Sequence, residues 1–183
     1  MANKETILQF VQEGAADLEA YLLSDILYWQ LHTPAGRQRF TLGGMLLGLM
    51  QINAMEEVNG EADDLLSLQV KIDKVKLEHR FAWEKKACQE TAARIRLWKT
   101  YLEDYRQNPD DMAAYYPREV KWRVLIQLLQ KEISKPIEQF DLLTLMDTMV
   151  KSNWLPGGFI WEPYLVHAMP TAEYWFLYGG LKP

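Results

Sequence analysis

The chain has 183 residues, of which 49% are hydrophobic and 25% charged, with one cysteine and a formal net charge of −5. These values are typical of a globular domain, so they argue against wholesale disorder, and a single cysteine excludes an internal disulfide framework. The amino terminus lacks the apolar run of a signal peptide, and the most apolar stretch, residues 42–50, is too short to span a bilayer. We therefore predict a cytoplasmic protein that does not enter a membrane.

Charge is distributed unevenly along the chain. Residues 1–70 carry three basic and ten acidic side chains, residues 71–135 carry fifteen and ten, and residues 136–183 carry two and five. Such polarity can guide head-to-tail contacts or the approach of an acidic partner. An uneven spread of surface charge over solvated helices is the more ordinary interpretation.

The first predicted element is a long amphipathic helix. Apolar residues recur at spacings of three and four from Ile7 to Trp29, with Asn3 as a cap, and Pro34 marks the end. Thr41 can cap a second helix that runs to about Val58. Gly44 and Gly48 lie four residues apart in this second helix, which predicts the close approach of another helix.

The most informative tract is residues 61–107, which contain neither glycine nor proline. From Leu77 to Tyr105, positions at alternating spacings of four and three form a heptad-like seam, although residues 68–77 also permit a short strand. A straight helix of this length would measure about 70 Å, whereas a domain of this size is roughly 40 Å across. The helix therefore either breaks, near Val75–Leu77, or projects and pairs with a partner.

Two shorter helices are predicted after the turn at residues 108–111, one over residues 117–133 and one reaching about Lys151. A last short helix is predicted over residues 171–178. We thus predict an all-α bundle of four to six helices with one long helix over about 61–107. The bundle comprises residues 1–152, and an irregular aromatic segment, 153–183, packs on it within a single domain.

The carboxy-terminal segment is rich in aromatic residues, with eight of the chain's twenty-two between residues 153 and 180. Soluble monomers seldom expose so large an apolar patch, so we expect most of these rings to pack on the helices. A minority should remain exposed around residues 156–161. The candidate partner-binding residues are Trp154, Phe159, Trp161 and Tyr164, because aromatic side chains are favoured at binding hot spots.

Motifs for catalysis or metal binding are not evident. The three histidines lack the spacings of zinc or di-iron motifs, and none of the four serines sits in Gly-x-Ser-x-Gly. Cys88 is predicted to be a buried thiol and Glu84 a structural carboxylate at the edge of the seam. We therefore predict no catalytic residue, no metal site and no cofactor.

The basic middle of the chain supports an alternative function. Its cations alternate with tyrosine and tryptophan, a mixture that can contact phosphates and stack on bases. The candidate nucleic-acid-binding residues are Arg94, Arg96, Lys99, Arg118, Lys121 and Arg123. Neighbouring acids dilute this patch, and the chain as a whole is acidic.

Taken together, these patterns predict a non-enzymatic protein–protein interaction or scaffold module. We expect its partner to be a second copy, forming a homodimer through a coiled-coil-like contact of the long helix, or another helical protein. The alternatives are a helical protein associated with nucleic acid and a small-ligand or metal-dependent bundle enzyme with its pocket beneath the aromatic segment.

Overall fold

Helices make up most of the chain, as the predicted all-α class requires. The computed structural model describes residues 4–34, 36–59 and 63–183. Its helices are α1 (Lys4–Ala16), α2 (Leu18–Leu23), α3 (Leu42–Asn59), α4 (Asp63–Glu78), α5 (Arg80–Gln107), α6 (Pro109–Met112), α7 (Tyr116–Glu119), α8 (Lys121–Gln130), α9 (Gln139–Ser152) and α10 (Thr171–Tyr174). Its strands are β1 (Trp29–Thr33), β2 (Gly36–Phe40), β3 (Trp154–Pro156) and β4 (Gly179–Leu181). Three short 3₁₀ turns occupy Ala113–Tyr115, Pro163–Leu165 and Trp175–Leu177.

The prediction of one long amino-terminal helix is wrong in two places. It is divided at Asp17 into α1 and α2, and no helix continues from Leu23 to the predicted end near Pro34. Strands β1 and β2 form an antiparallel hairpin instead, in which Trp29 pairs with Phe40. Within β1, buried Leu31 and Thr33 alternate with exposed residues, so this stretch has the period of two that a strand requires. Gly36 follows the turn with a φ of 109°, a conformation that favours glycine. The predicted cap Asn3 lies outside the described residues.

The tract predicted as one helix over 61–107 is two helices, α4 and α5, which meet at His79. His79 has φ −116° and ψ 34°, outside the helical range. Backbone hydrogen bonds nevertheless continue across the junction, from His79 N–H to Val75 O and from Trp83 N–H to His79 O. The break lies close to the predicted one. Ile72 on α4 and Trp83 on α5 are both buried in the amino-terminal half of the core.

The core consists of two clusters of buried side chains that meet along α3. The first unites α1, α2, the β1–β2 hairpin, α3, α4 and the start of α5. The second unites α5, α7, α8, α9 and the carboxy-terminal segment. Helix α1 approaches α3 at Gly48, where a Cβ atom would lie 2.8 Å from Val11 Cγ2. The close approach expected from the Gly44–Gly48 spacing is therefore present.

The aromatic carboxy-terminal segment packs on the second cluster. Strand β3 pairs antiparallel with β4, and the Tyr116 hydroxyl donates to Phe176 O at 2.7 Å. Tyr174 and Phe176 are buried, and the other six rings are half-buried against the same cluster. The segment thus completes the core with most of its rings. Within the described ranges, none of the helices combines the length and apolar character needed to cross a bilayer.

Candidate functional site

Two surfaces of the described chain are candidate sites. The first is an apolar stripe on the outer face of α4 and the start of α5, which we call the α4–α5 stripe. Its residues and their exposed fractions are Leu66 (67%), Val70 (61%), Leu77 (78%) and Phe81 (86%). Spacings of four, seven and four residues correspond to one helical face, which begins on α4 and continues on α5 across the junction at His79. Large apolar side chains that are exposed together are typical of interaction surfaces, so this stripe is a candidate for one.

The second half of the stripe, Leu77 and Phe81, is the uncovered beginning of the heptad-like seam. Leu77 and Phe81 are exposed, Glu84 and Cys88 are half-buried, and the seam is buried from Thr91 onwards. A seven-residue repeat drifts by about 20° per heptad around a straight α-helix, so a seam that faces the core at one end turns away from it at the other. The chain therefore covers the second half of its seam and leaves the first half open.

The α4–α5 stripe has an internal symmetry. Leu66 lies as far before the midpoint between Asp73 and Lys74 as Phe81 lies after it, and Val70 and Leu77 are related in the same way. Asp73 and Lys74, at the centre, are both exposed. Two-fold rotation about this midpoint would bring Leu66 level with Phe81, and Val70 level with Leu77, of a second copy.

The second candidate surface is a pocket of about 540 Å³ between α1, the β1–β2 hairpin, α3, α5 and α8. We call it the Arg94 pocket. Its lining includes Ile7, Phe10, Tyr28, Arg39, Thr41, Leu47, Arg94, Lys121, Trp122 and Leu125. One wall is apolar, and three cationic side chains contribute to the rest. Among the residues that the structure describes, no Asp or Glu lines it.

Arg94 is held in place by a buried carboxylate. Glu90 is completely buried, and its Oε1 accepts hydrogen bonds from Arg94 Nε at 3.0 Å and from Nη2 at 2.8 Å. Glu90 Oε2 accepts from the Gly43 N–H at 2.8 Å, in the first turn of α3. Thr41 Oγ1 accepts from Arg94 Nη2 and from the Gly44 N–H, so it caps the same helix.

The guanidinium of Arg94 is also flanked by aromatic rings. Its Cζ atom lies 5.5 Å from the ring centroid of Tyr28 and 5.1 Å from that of Trp122. Nη1, by contrast, takes part in no hydrogen bond among the described residues. Desolvation lowers the pKa of Lys121, although its side chain is still partly in water, and the positive charge of Arg94 lowers it further. Cationic groups therefore crowd this pocket.

The six residues predicted for nucleic-acid binding do not share one surface. Arg123 is buried and makes a two-bond ion pair with Asp147, at 2.9 and 2.8 Å. On the surface, Lys99 pairs with Glu103 and Arg118 with Glu119. Of the six, Arg94 and Lys121 come together in the Arg94 pocket, while Arg96 is exposed on α5.

The four aromatic residues predicted to bind a partner are all half-buried. Trp154 packs edge-on against Tyr116 and Trp175, and Trp161 Nε1 donates to Pro117 O at 3.0 Å. Phe159 packs against Tyr178. These rings have partners within the chain, and a role of their remaining surface in binding stays a prediction.

The other polar residues considered in the sequence have structural contacts. Glu84 accepts hydrogen bonds from the backbone and hydroxyl of Ser134, which lower the pKa of its carboxyl. Burial and the charge of Glu84 raise the pKa of the Cys88 thiol, so that this half-buried cysteine is a poor nucleophile. In the described part of the chain, no three His, Cys, Asp or Glu side chains gather as metal ligands would.

Comparisons with protein-family models, curated proteins and solved structures find no match to this chain.

Proposed function

We propose that the protein is a non-enzymatic interaction module that self-associates through the α4–α5 stripe. The observation that carries the proposal is the exposure of Leu66, Val70, Leu77 and Phe81 on one helical face that is symmetric about Asp73–Lys74. Burying such a face removes apolar surface from water, at about 25 cal/mol per Å².

The symmetry of the stripe is compatible with an antiparallel partner. With a two-fold axis through the midpoint of Asp73 and Lys74, Leu66 comes level with the partner's Phe81 and Val70 with the partner's Leu77. All four side chains then lie at the level of apolar residues.

Four side chains make a small contact. Standard interfaces bury about 1,600 Å², and smaller ones are characteristic of weak or transient association. We therefore expect a reversible dimer with a Kd on the order of 1–100 μM.

Sedimentation velocity over a range of protein concentrations tests the proposal. The wild type should shift from monomer to dimer as its concentration rises through the micromolar range. Leu77→Glu should abolish the shift because it places a charge in the apolar contact. The matched control is Leu145→Glu on α9, where the side chain is 68% exposed but lies away from the stripe. A wild type that stays monomeric at millimolar concentration contradicts the proposal, as do equal effects of the two variants.

A further inference from the structure

We infer that the Arg94 pocket binds a small organic oxyanion, a carboxylate or phosphate monoester attached to an apolar body. This inference does not rest on self-association, because the Arg94 pocket contains no residue of the α4–α5 stripe. It begins from the Nη1 atom of Arg94. The side chain is 92% buried, and Nη1 has no hydrogen-bond acceptor in the described chain.

The orientation of Arg94 is fixed before any ligand arrives. Nε and Nη2 are held by Glu90, Nη2 also donates to Thr41, and the rings of Tyr28 and Trp122 flank the guanidinium. Holding these atoms leaves the two N–H groups of Nη1 as the donors available to a ligand. Carboxylate and phosphate oxygens are the acceptors that guanidinium groups bind most strongly.

The local charge balance selects an anion over a neutral acceptor. Glu90 neutralises one of the three cationic groups in the lining, so Arg39 and Lys121 leave an excess of about two positive charges at the pocket. Their mutual repulsion is relieved when a negative ligand binds. An anion therefore gains from both the free guanidinium donors and the unbalanced charge.

The opposite wall of the pocket is apolar and suits the rest of the ligand. Ile7, Phe10, Leu47 and Leu125 line it, and Gly44 and Gly48 present backbone without side chains. A volume of about 540 Å³ is ample for one ring or a short acyl chain beside the anionic group. An inorganic anion would leave this wall exposed to water, so we expect an amphipathic ligand.

Isothermal titration calorimetry with four probes tests this inference on the full-length chain. Benzoate and phenyl phosphate carry the two anionic groups, benzyl alcohol is a neutral counterpart, and inorganic phosphate lacks the apolar body. At least one aromatic anion should bind with a Kd on the order of 10 μM to 1 mM. Benzyl alcohol and inorganic phosphate should bind at least about tenfold more weakly. Benzyl alcohol lacks the negative charge, and inorganic phosphate lacks the apolar body. The ratio of benzoate to phenyl phosphate affinity then identifies the anionic group.

Two variants locate the binding. Lys121→Gln should raise the Kd of the anion several-fold to tenfold. Arg96 is exposed on α5 and lies outside the lining, so Arg96→Gln should not change the Kd. Arg94→Lys keeps a positive charge beside Glu90 but lacks Nη1, so it should abolish binding in a chain whose circular dichroism is unchanged. If Arg94→Lys does not fold, Lys121→Gln against Arg96→Gln still decides the question.

Three results would overturn the inference. The first is no binding of either aromatic anion at millimolar concentration, and the second is an affinity for benzyl alcohol equal to that for the tighter-binding aromatic anion. The third is an equal effect of Lys121→Gln and Arg96→Gln on the Kd. None of these results bears on the dimer, which is measured by sedimentation. Conversely, a strictly monomeric protein that binds benzoate would refute self-association and leave the Arg94 pocket intact.

Discussion

Glu90 and Arg94 lie one turn apart on α5 and form an ion pair that is nearly closed to solvent. The same carboxylate accepts a hydrogen bond from the Gly43 N–H, so one side chain joins α5 to the first turn of α3 and fixes the guanidinium that lines the pocket. The negative charge also complements the positive end of the α3 dipole. Structural support and site organisation therefore depend on the same pair.

Replacing Glu90 should be costly to stability. Glu90→Gln keeps the size of the side chain but leaves the buried guanidinium of Arg94 without its counter-charge. Breaking a buried ion pair from one side costs about 3–5 kcal/mol in the free energy of unfolding. Urea denaturation measures this loss, and Glu103→Gln is the control, because Glu103 pairs with Lys99 on the exposed face of the same helix. A loss below about 1 kcal/mol in both variants would show that the buried pair is dispensable.

A second buried pair should anchor α9 to α8. Arg123 donates two hydrogen bonds to Asp147, and its Cζ lies 4.5 Å from the ring centroid of Phe176, so it also touches the carboxy-terminal segment. Asp147→Asn should lower the free energy of unfolding by about 3 kcal/mol, near the lower bound for a buried pair because the carboxylate keeps some contact with water.

The control for this pair is Asp141→Asn, an exposed acid in the first turn of α9. Asp141→Asn should lower the free energy of unfolding by no more than about 1 kcal/mol, the range of helix-dipole effects at the surface. Chemical denaturation of both variants makes the comparison, and equal losses would contradict the anchoring role of Asp147.

The hydrogen bond from the Tyr116 hydroxyl should stabilise the packing of the aromatic segment on the helices. Tyr116 is buried, its hydroxyl donates to Phe176 O at 2.7 Å, and its ring contacts Trp98, Tyr101 and Trp154. Tyr116→Phe preserves the ring contacts but leaves a buried carbonyl without a donor, which costs about 1–3 kcal/mol. Thermal and urea unfolding measure the cost. The neighbouring exposed Tyr115, changed to Phe, should unfold as the wild type does, and the same behaviour in Tyr116→Phe would refute the prediction.

The parts of the fold that sequence reasoning recovers are those with a sustained local period. The second helix, capped by Thr41, was predicted at 41–58 and is α3, Leu42–Asn59, because its cap and apolar face are local signals. The β1–β2 hairpin was missed because Trp29 continues the helical spacing of the preceding residues. Burial at Leu31 and Thr33, which depends on tertiary contacts, makes this stretch a strand.

Hydrophobic periodicity in the sequence could not predict the Arg94 pocket. Thr41, Arg94 and Lys121 come from three separate elements, and their meeting depends on helix packing that no spacing in the sequence encodes. Arg94 and Lys121 were singled out as cations, but for an extended nucleic-acid surface. The Glu90–Arg94 ion pair could have been predicted, because Glu90 lies four residues before Arg94, a spacing typical of an ion pair on a helix. That spacing does not reveal burial, which is what gives this pair its role.

The last prediction concerns alkaline pH and the buried hydroxyl of Tyr174. Burial raises the pKa of Tyr174 to about 12, and the charge of Glu173 adds to the effect. In the unfolded chain the same group has a pKa of about 10, so between about pH 10 and 12 the unfolded state has lost a proton that the folded state keeps. The free energy of unfolding must therefore fall as pH rises, by about 1.4 kcal/mol per pH unit for this group.

The variant Tyr174→Phe isolates this contribution. Among the described residues the Tyr174 hydroxyl has no hydrogen-bond partner, so its removal should cost little at neutral pH, within about 1 kcal/mol. Above about pH 10 the variant should lose stability less steeply than the wild type. Subtracting the two urea-derived profiles cancels the contributions of the other buried tyrosines and of Lys86 and Lys121, whose lowered pKa values act in the opposite direction. Parallel profiles up to about pH 11 would mean that Tyr174 ionises as easily in the folded chain as in the unfolded one.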